Sequence, residues 1–194
     1  MSIPTKFNPL GTLGRLTLLE SVFVPKLTAK DTYNVVFKSI PTPSAGKYRC
    51  GIKFGDFTAS SYGIGVLGTA SYDTGQKAGA FFYYSNNGMV FVQEGAPWEI
   101  FDSSGKTIEC TQVGQEIRVY ANGSQVSYKN VAAWQEGYKS NVSVRQNKNC
   151  SYTFMRVYVA DGENMLIDLV PAHRADGTLG IYDKVGEMFY EFAS

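Results

Sequence analysis

"EIRVYANGSQVSY", residues 116–128, decides the fold class. Polar and apolar residues alternate on both sides of Asn122-Gly123. Successive side chains of an extended chain face opposite ways, so each flank reads as a strand with one face inward. Asn-Gly supplies the positive φ values that a two-residue type I′ turn needs, so the two strands form a hairpin. "FMRVYVADGENMLIDLV", residues 154–170, repeats the pattern around Asp161-Gly162 and is expected to turn through a slightly longer loop.

Working outward, nearly every apolar segment alternates with period two or is a short aromatic and β-branched block between Gly, Asn, Asp or Pro. In the first half the expected strands are "RLTLLESVFV", "TYNVVFKSI", "KYRCGIKF", "YGIGVLG", "AGAFFYYS", "GMVFVQ" and "PWEIFD". In the second half they are "KTIECT", "QEIRVYA", "SQVSYKN", "NVSVRQ", "CSYTFMRVYVA", "NMLIDLVPA", "LGIYD" and "MFYEFA". The best helical stretch is a single turn at "VAAWQEG". So many short antiparallel strands predict an all-β, two-sheet antiparallel sandwich of jelly-roll type, because a sheet with one apolar face must cover it with another. Residues 1–14 carry two prolines, two glycines and no alternation, and read as an extended N-terminal arm before a β-sandwich domain at 15–194.

The chain has 194 residues, 44% hydrophobic and 18% charged, enough to bury the core of one domain. Its 18 basic and 17 acidic side chains leave a net charge of +1, so no long-range field gathers phosphate backbones or anionic lipid. Nucleic acid and membrane insertion are therefore not expected. "MSIPTKFNPLGTLG" lacks the apolar run of a secretory leader, which predicts a protein that works where it is made or leaves with something larger. The three Asn-x-Ser sequons, at Asn122, Asn141 and Asn149, would matter only in a eukaryotic secretory pathway. Cys50, Cys110 and Cys150 are an odd number at wide spacing, neither a disulfide framework nor a zinc pattern. In "KYRCGIKF", Tyr48, Cys50, Ile52 and Phe54 share one strand face and Lys47, Arg49 and Lys53 the other, so Cys50 reads as a core residue.

Catalytic candidates are few. Glycoside hydrolysis needs two carboxylates flanking one bond, and no strand carries them at the required spacing. Glu99 and Asp102 are three apart, on opposite faces of an extended segment. His173 is the lone histidine, with no second imidazole for a metal and no nucleophile motif beside it. Asp161, Glu163 and Asn164 offer three oxygens where calcium takes six to eight, so no metal or other cofactor is expected. The chain therefore reads as non-enzymatic. For sugar binding the candidates are Trp98 and Trp134 beside turns, and Tyr84 with Asn86 and Asn87 in "FFYYSNNG", where rings stack and amides fix hydroxyls. In the arm, Ile3, Phe7, Leu10 and Leu13 are apolar with no strand of their own, and are expected to dock in a groove on another subunit or on a larger particle.

"LIDLVPAHRADGTLGIYDKVGEMFY", residues 166–190, resembles the closing hairpin of concanavalin A-like, laminin-G-like jelly rolls common in bacteriophage and prophage proteins and in gut-bacterial surface proteins. The matching positions are Pro171, Arg174, Asp176, Gly177, Gly180, Tyr182, Asp183, Phe189 and Tyr190. "EIRVYANGSQVSY" is similar to the family's Asn-Gly hairpin, and "LTLLESVFV" to its opening strand, after which the family's Gly-Thr-Gln-Tyr-Ile type of stretch is missing here. In such a motif Asp176-Gly177 turns the chain, Gly180 lets strands approach, and Phe189 with Tyr190 seals the sheet. The resemblance implies a virion protein: a head fibre, a decoration protein or a tail-associated adhesin, present in host cytoplasm before assembly. Its expected partners are other virion proteins, copies of itself in a homo-oligomer such as a trimer, and a host-surface glycan. The alternative is a carbohydrate-active enzyme or polysaccharide-binding module of a bacterial surface system, which the same fold also hosts.

Overall fold

The computed structural model describes residues 8–9, 16–28, 32–41, 47–59, 63–68, 81–85, 88–93, 96–101, 105–114, 116–130 and 140–193, with the backbone path alone for 8–9, 63–68 and the strands between 81 and 101. The first strands are β1 (Asn8–Pro9), β2 (Thr17–Leu18), β3 (Val22–Val24), β4 (Thr32–Ile40), β5 (Tyr48–Ala59) and β6 (Gly63–Gly68). There follow β7 (Phe81–Ser85), β8 (Gly88–Gln93), β9 (Ala96–Phe101), β10 (Thr107–Val113), β11 (Glu116–Ala121) and β12 (Ser124–Asn130). The chain closes with β13 (Ser140–Asn147), β14 (Cys150–Asp161), β15 (Asn164–His173), β16 (Leu179–Asp183) and β17 (Met188–Glu191). No helix occurs among the described residues, and every strand pairing is antiparallel.

One run of strands is β12-β11-β10-β5-β14, whose far edge is shared by β3 at one end and β15 at the other. A second run is β4-β13-β6-β7-β8-β9. The distal half of β15 leaves β14 and pairs with β16, which continues into β17 and β1, while β2 closes its other side. Both runs feed one core: Cys50, Ile52 and Phe54 from β5, Ile108 and Ile117 from β10 and β11, and Val36, Val142 and Val144 from β4 and β13 are all essentially inaccessible. The all-β fold is thus sandwich-like, with each large apolar side chain removed from water contributing about 1.5–3 kcal/mol. Tyr152 stacks on Phe57 at 5.7 Å and its hydroxyl donates to the Arg145 carbonyl at 2.7 Å, so its one polar atom is satisfied inside the core.

The Asn-Gly hairpin forms as its chemistry dictates. Asn122 (φ 49°) and Gly123 (φ 80°) make a two-residue turn between β11 and β12, and Asn122 Oδ1 accepts from the Thr107 N–H at 2.9 Å. The Asp161 hairpin is tighter than its sequence suggests, since Asp161 pairs with Asn164 and only two residues turn, with Gly162 at φ 61°. "RLTLLESVFV" divides into β2 and β3, because the chain changes partner there from β15 to β14. Of the arm, Asn8 and Pro9 pair with Phe189 and Met188 of β17. Ile3, Phe7, Leu10 and Leu13 lie outside the described residues.

Candidate functional site

The closing segment is built as a fastening. Asp183 is fully buried: its Oδ2 accepts from Lys38 Nζ at 2.8 Å, and its Oδ1 from the N–H groups of Val185 at 3.1 Å and Asp168 at 3.3 Å. Asp168, also buried, is held by Arg156 through two bonds of 2.8 and 3.2 Å and by Lys184 at 3.3 Å. Asp176 Oδ1 accepts from the Thr178 N–H at 2.9 Å, which together with the Thr178 side chain holds its carboxyl below the usual range, and Gly177 takes φ 85°. Gly180 faces the Tyr190 carbonyl and the Phe189 ring so closely that a Cβ there would come 2.6 Å from Phe189 Cζ. Phe189 and Tyr190 are both buried, on opposite faces of β17. Arg174 stacks on Phe189 at 4.6 Å and pairs with Glu191. His173 is half-buried, paired on both sides by Thr17 and Leu179, and its Nδ1 donates to the Arg174 carbonyl at 2.8 Å, so it is an interior strand residue and not an edge one.

The first run of strands turns a different surface outward. Opposite the core face, register aligns Tyr128, Arg118, Thr111, Gly51, Tyr158 and Asp168 in one row across β12, β11, β10, β5, β14 and β15. Arg118 lies 5.9 Å from the centroid of Tyr128, and Arg156 lies 4.8 Å from that of Tyr158. Tyr158 lies across Gly51, where a Cβ would come 2.7 Å from its Cζ and closer still to Cε1. Beside this row run Tyr120, Glu109, Lys53 and Arg156.

Four ion pairs of described residues lie on the face. Arg49 pairs with Glu163 at 3.0 Å, Lys53 with Glu109 at 3.5 Å, Arg118 with Glu116 at 3.0 Å, and Arg156 with Asp168 at 2.8 Å. Hydrogen bonds to Tyr120 and then Glu116 push the Arg118 guanidinium up from its ordinary value, and the bond to Asp168 does the same for Arg156. Burial raises the Tyr158 phenol, so its ring is neutral at working pH. The arrangement sets two tyrosine rings, each with a guanidinium over it, beside donor and acceptor couples that can meet hydroxyl groups.

The residues singled out from sequence fall elsewhere. Tyr84 lies on β7 in register with Met89 and Phe101, whereas Trp98 lies on β9 at a bulge between Pro97 and Glu99, about 10 Å along the strand from that row. Their side chains, and Asn86, Asn87, Trp134 and Asp102, lie outside the described residues. Glu163 is almost wholly exposed and turned to Arg49, and no group of three His, Cys, Asp or Glu gathers to hold a metal among the described residues. Cys50, Cys110 and Cys150 are all buried thiols. No motif marks Arg118, Thr111, Gly51, Tyr128 and Tyr158, since five segments of chain supply them; alternation points outward for Arg118, Thr111 and Gly51, but on β14 an irregularity between Phe154 and Arg156 breaks it. No protein-family model matches the chain, and no curated protein is significantly similar to it.

Proposed function

We propose that the chain is a non-enzymatic attachment domain of a bacteriophage virion, a concanavalin A-like jelly roll that joins the particle to a host-surface glycan or to neighbouring virion proteins. The observation that carries this reading is the open outer face of β12-β11-β10-β5-β14, with its Arg118–Tyr128 and Arg156–Tyr158 stacks. On that face Glu109, Glu116, Glu163 and Asp168 each hold a cation, which favours binding over catalysis: a general acid for glycoside cleavage must be free to give up its proton. The closing segment at 166–190 supports the phage assignment through its resemblance to virion jelly rolls. The arm at 1–14 is the assembly device in this reading, its pairing with β17 through Asn8 and Pro9 being remade on a neighbouring copy in an oligomer such as a trimer.

Retention of the purified protein on host cells or its presence in purified particles, without release of reducing ends from β-glucans, galactans or capsular sugars, is the expected outcome. Steady release of reducing ends, abolished by Glu109→Gln or Glu116→Gln, would establish the carbohydrate-active enzyme instead. Deleting residues 2–14 removes β1 from beside β17 and should lower the thermal midpoint only slightly, since β1 has two residues, while blocking assembly; normal incorporation of the truncated chain would remove the arm from the reading.

A further inference from the structure

We propose, on the attachment reading above, that the outer sheet face takes a linear, uncharged glycan laid across the strands from Tyr128 to Tyr158. Charge selects the class. Of the cations described on the face, Arg49, Lys53, Arg118 and Arg156 each pair with a carboxylate within 3.5 Å, Lys184 shares Asp168 with Arg156, and only Lys47, at the margin of the face, is without an ion pair among the described residues. A polyanion needs unpaired cations whose counterions it can release, and would be repelled here by Glu109 and Glu116. A sugar hydroxyl is donor and acceptor at once, and each guanidinium–carboxylate couple presents both partners side by side.

Shape selects the direction. Between the two rings the row holds Arg118, Thr111 and Gly51, and the last two are its smallest side chains. The distance from Tyr128 to Tyr158 is four strand spacings, about 19 Å, the length of roughly four pyranose rings. Tyr128 is exposed and can meet the apolar face of a sugar, and the outer edge of the Tyr158 ring lies over Gly51, where a Cβ would displace it.

The test is calorimetric titration of the full chain with neutral oligosaccharides from disaccharide to hexasaccharide, and with heparin and teichoic acid as anionic probes, at low and high salt. Affinity for a neutral series should rise with length, level off near the tetrasaccharide and change less than about twofold with salt. Tyr128→Ala and Gly51→Ala should each weaken binding about tenfold with no loss of thermal midpoint, the second by lifting the Tyr158 ring, while Phe37→Ala on the far side of the fold should change nothing. Binding confined to the anionic probes, with steep salt dependence, would overturn the uncharged ligand and leave the attachment reading standing. Neutral-glycan binding indifferent to both face variants would overturn the location. Cell retention without affinity for any neutral glycan would likewise end the inference alone, whereas absence from both cells and particles would end the attachment reading itself.

Discussion

Replacing Asp183 by alanine distinguishes a fastening from a chemical site. The carboxylate is wholly inaccessible and accepts three hydrogen bonds, one from Lys38 Nζ and two from the backbone of Asp168 and Val185. Its removal takes the acceptor from two main-chain N–H groups, at about 1–3 kcal/mol for one left buried and unsatisfied. It also strands the Lys38 ammonium. Because the Lys38 side chain is 32% exposed, the ammonium can turn to water, which moderates that loss. Asp183→Ala should therefore cost about 3 kcal/mol, the lower end of what breaking a buried ion pair costs. For a domain of this size that lowers the thermal midpoint by about 6–12 °C. Asp183→Asn keeps an acceptor oxygen for the backbone and should cost about 1–2 kcal/mol. Urea unfolding followed by tryptophan fluorescence measures both, and the slope should be unchanged. Lys38→Met completes a double-mutant cycle, with an expected coupling of about 1–3 kcal/mol. An Asp183→Ala protein within ~0.5 kcal/mol of the parent, or strict additivity with Lys38→Met, would refute the fastening.

Gly180→Ala should destabilise by about 1–3 kcal/mol, because the nearest obstacle is the Tyr190 backbone carbonyl, which cannot swing away; an unchanged urea midpoint would contradict it. The three thiols should resist an aromatic disulfide reagent in the native state at mildly alkaline pH and react together in urea, since all are buried and burial pushes Cys150 to about 12; rapid native labelling would place a thiol at the surface. Alkali should weaken the fold. Burial, with Asp183 adding to it, raises the Tyr190 phenol to about 12, so the unfolded chain gives up this proton first and stability should fall from about pH 10 to about pH 12, adding to a fall that starts at about pH 9 as the Cys150 thiol ionises first in the unfolded chain. Urea midpoints that hold steady through that window would oppose this assignment.

The strands were legible because their signals are local. Alternation and turn chemistry act within a few residues, and Asn122, Gly123 and Gly177 adopt the positive φ angles that such turn residues favour. Cys50 is core and Arg49 and Lys53 are not, as period two requires. β1 was not anticipated, since Asn8-Pro9 alternates with nothing; Pro9 has no N–H to give and sits beside β17 where a strand edge tolerates it. The outer face was illegible for a different reason. Its row depends on register between distant segments, and irregularities interrupt that register, among them one between Val119 and Tyr120 and one between Phe154 and Arg156. Strict alternation from Phe154 would send Arg156 and Tyr158 into the core. The bulge reverses the parity, burying Val157 and Val159 and turning Arg156 and Tyr158 outward.

The same strands thus carry two kinds of residue with different reasons to be there. On β5, Cys50, Ile52 and Phe54 are fixed by the core, whereas Arg49 and Lys53 make exposed ion pairs worth about 0–1 kcal/mol, too little for folding to demand them. Gly51 is the sharper case. A glycine inside a strand forgoes roughly 0.5–1 kcal/mol against alanine, which a fold accepts where a backbone or a core side chain needs the space. At Gly180 the backbone needs it. At Gly51 the three nearest atoms all belong to the Tyr158 ring, on the outer face, where the ring could swing clear of a methyl group. The glycine therefore serves the position of that ring and not the closure of the core. A ring resting over a strand glycine is also a way for a sheet to cover that glycine, and on the proposed binding platform the same contact would place Tyr158 beside Thr111, Arg118 and Tyr128.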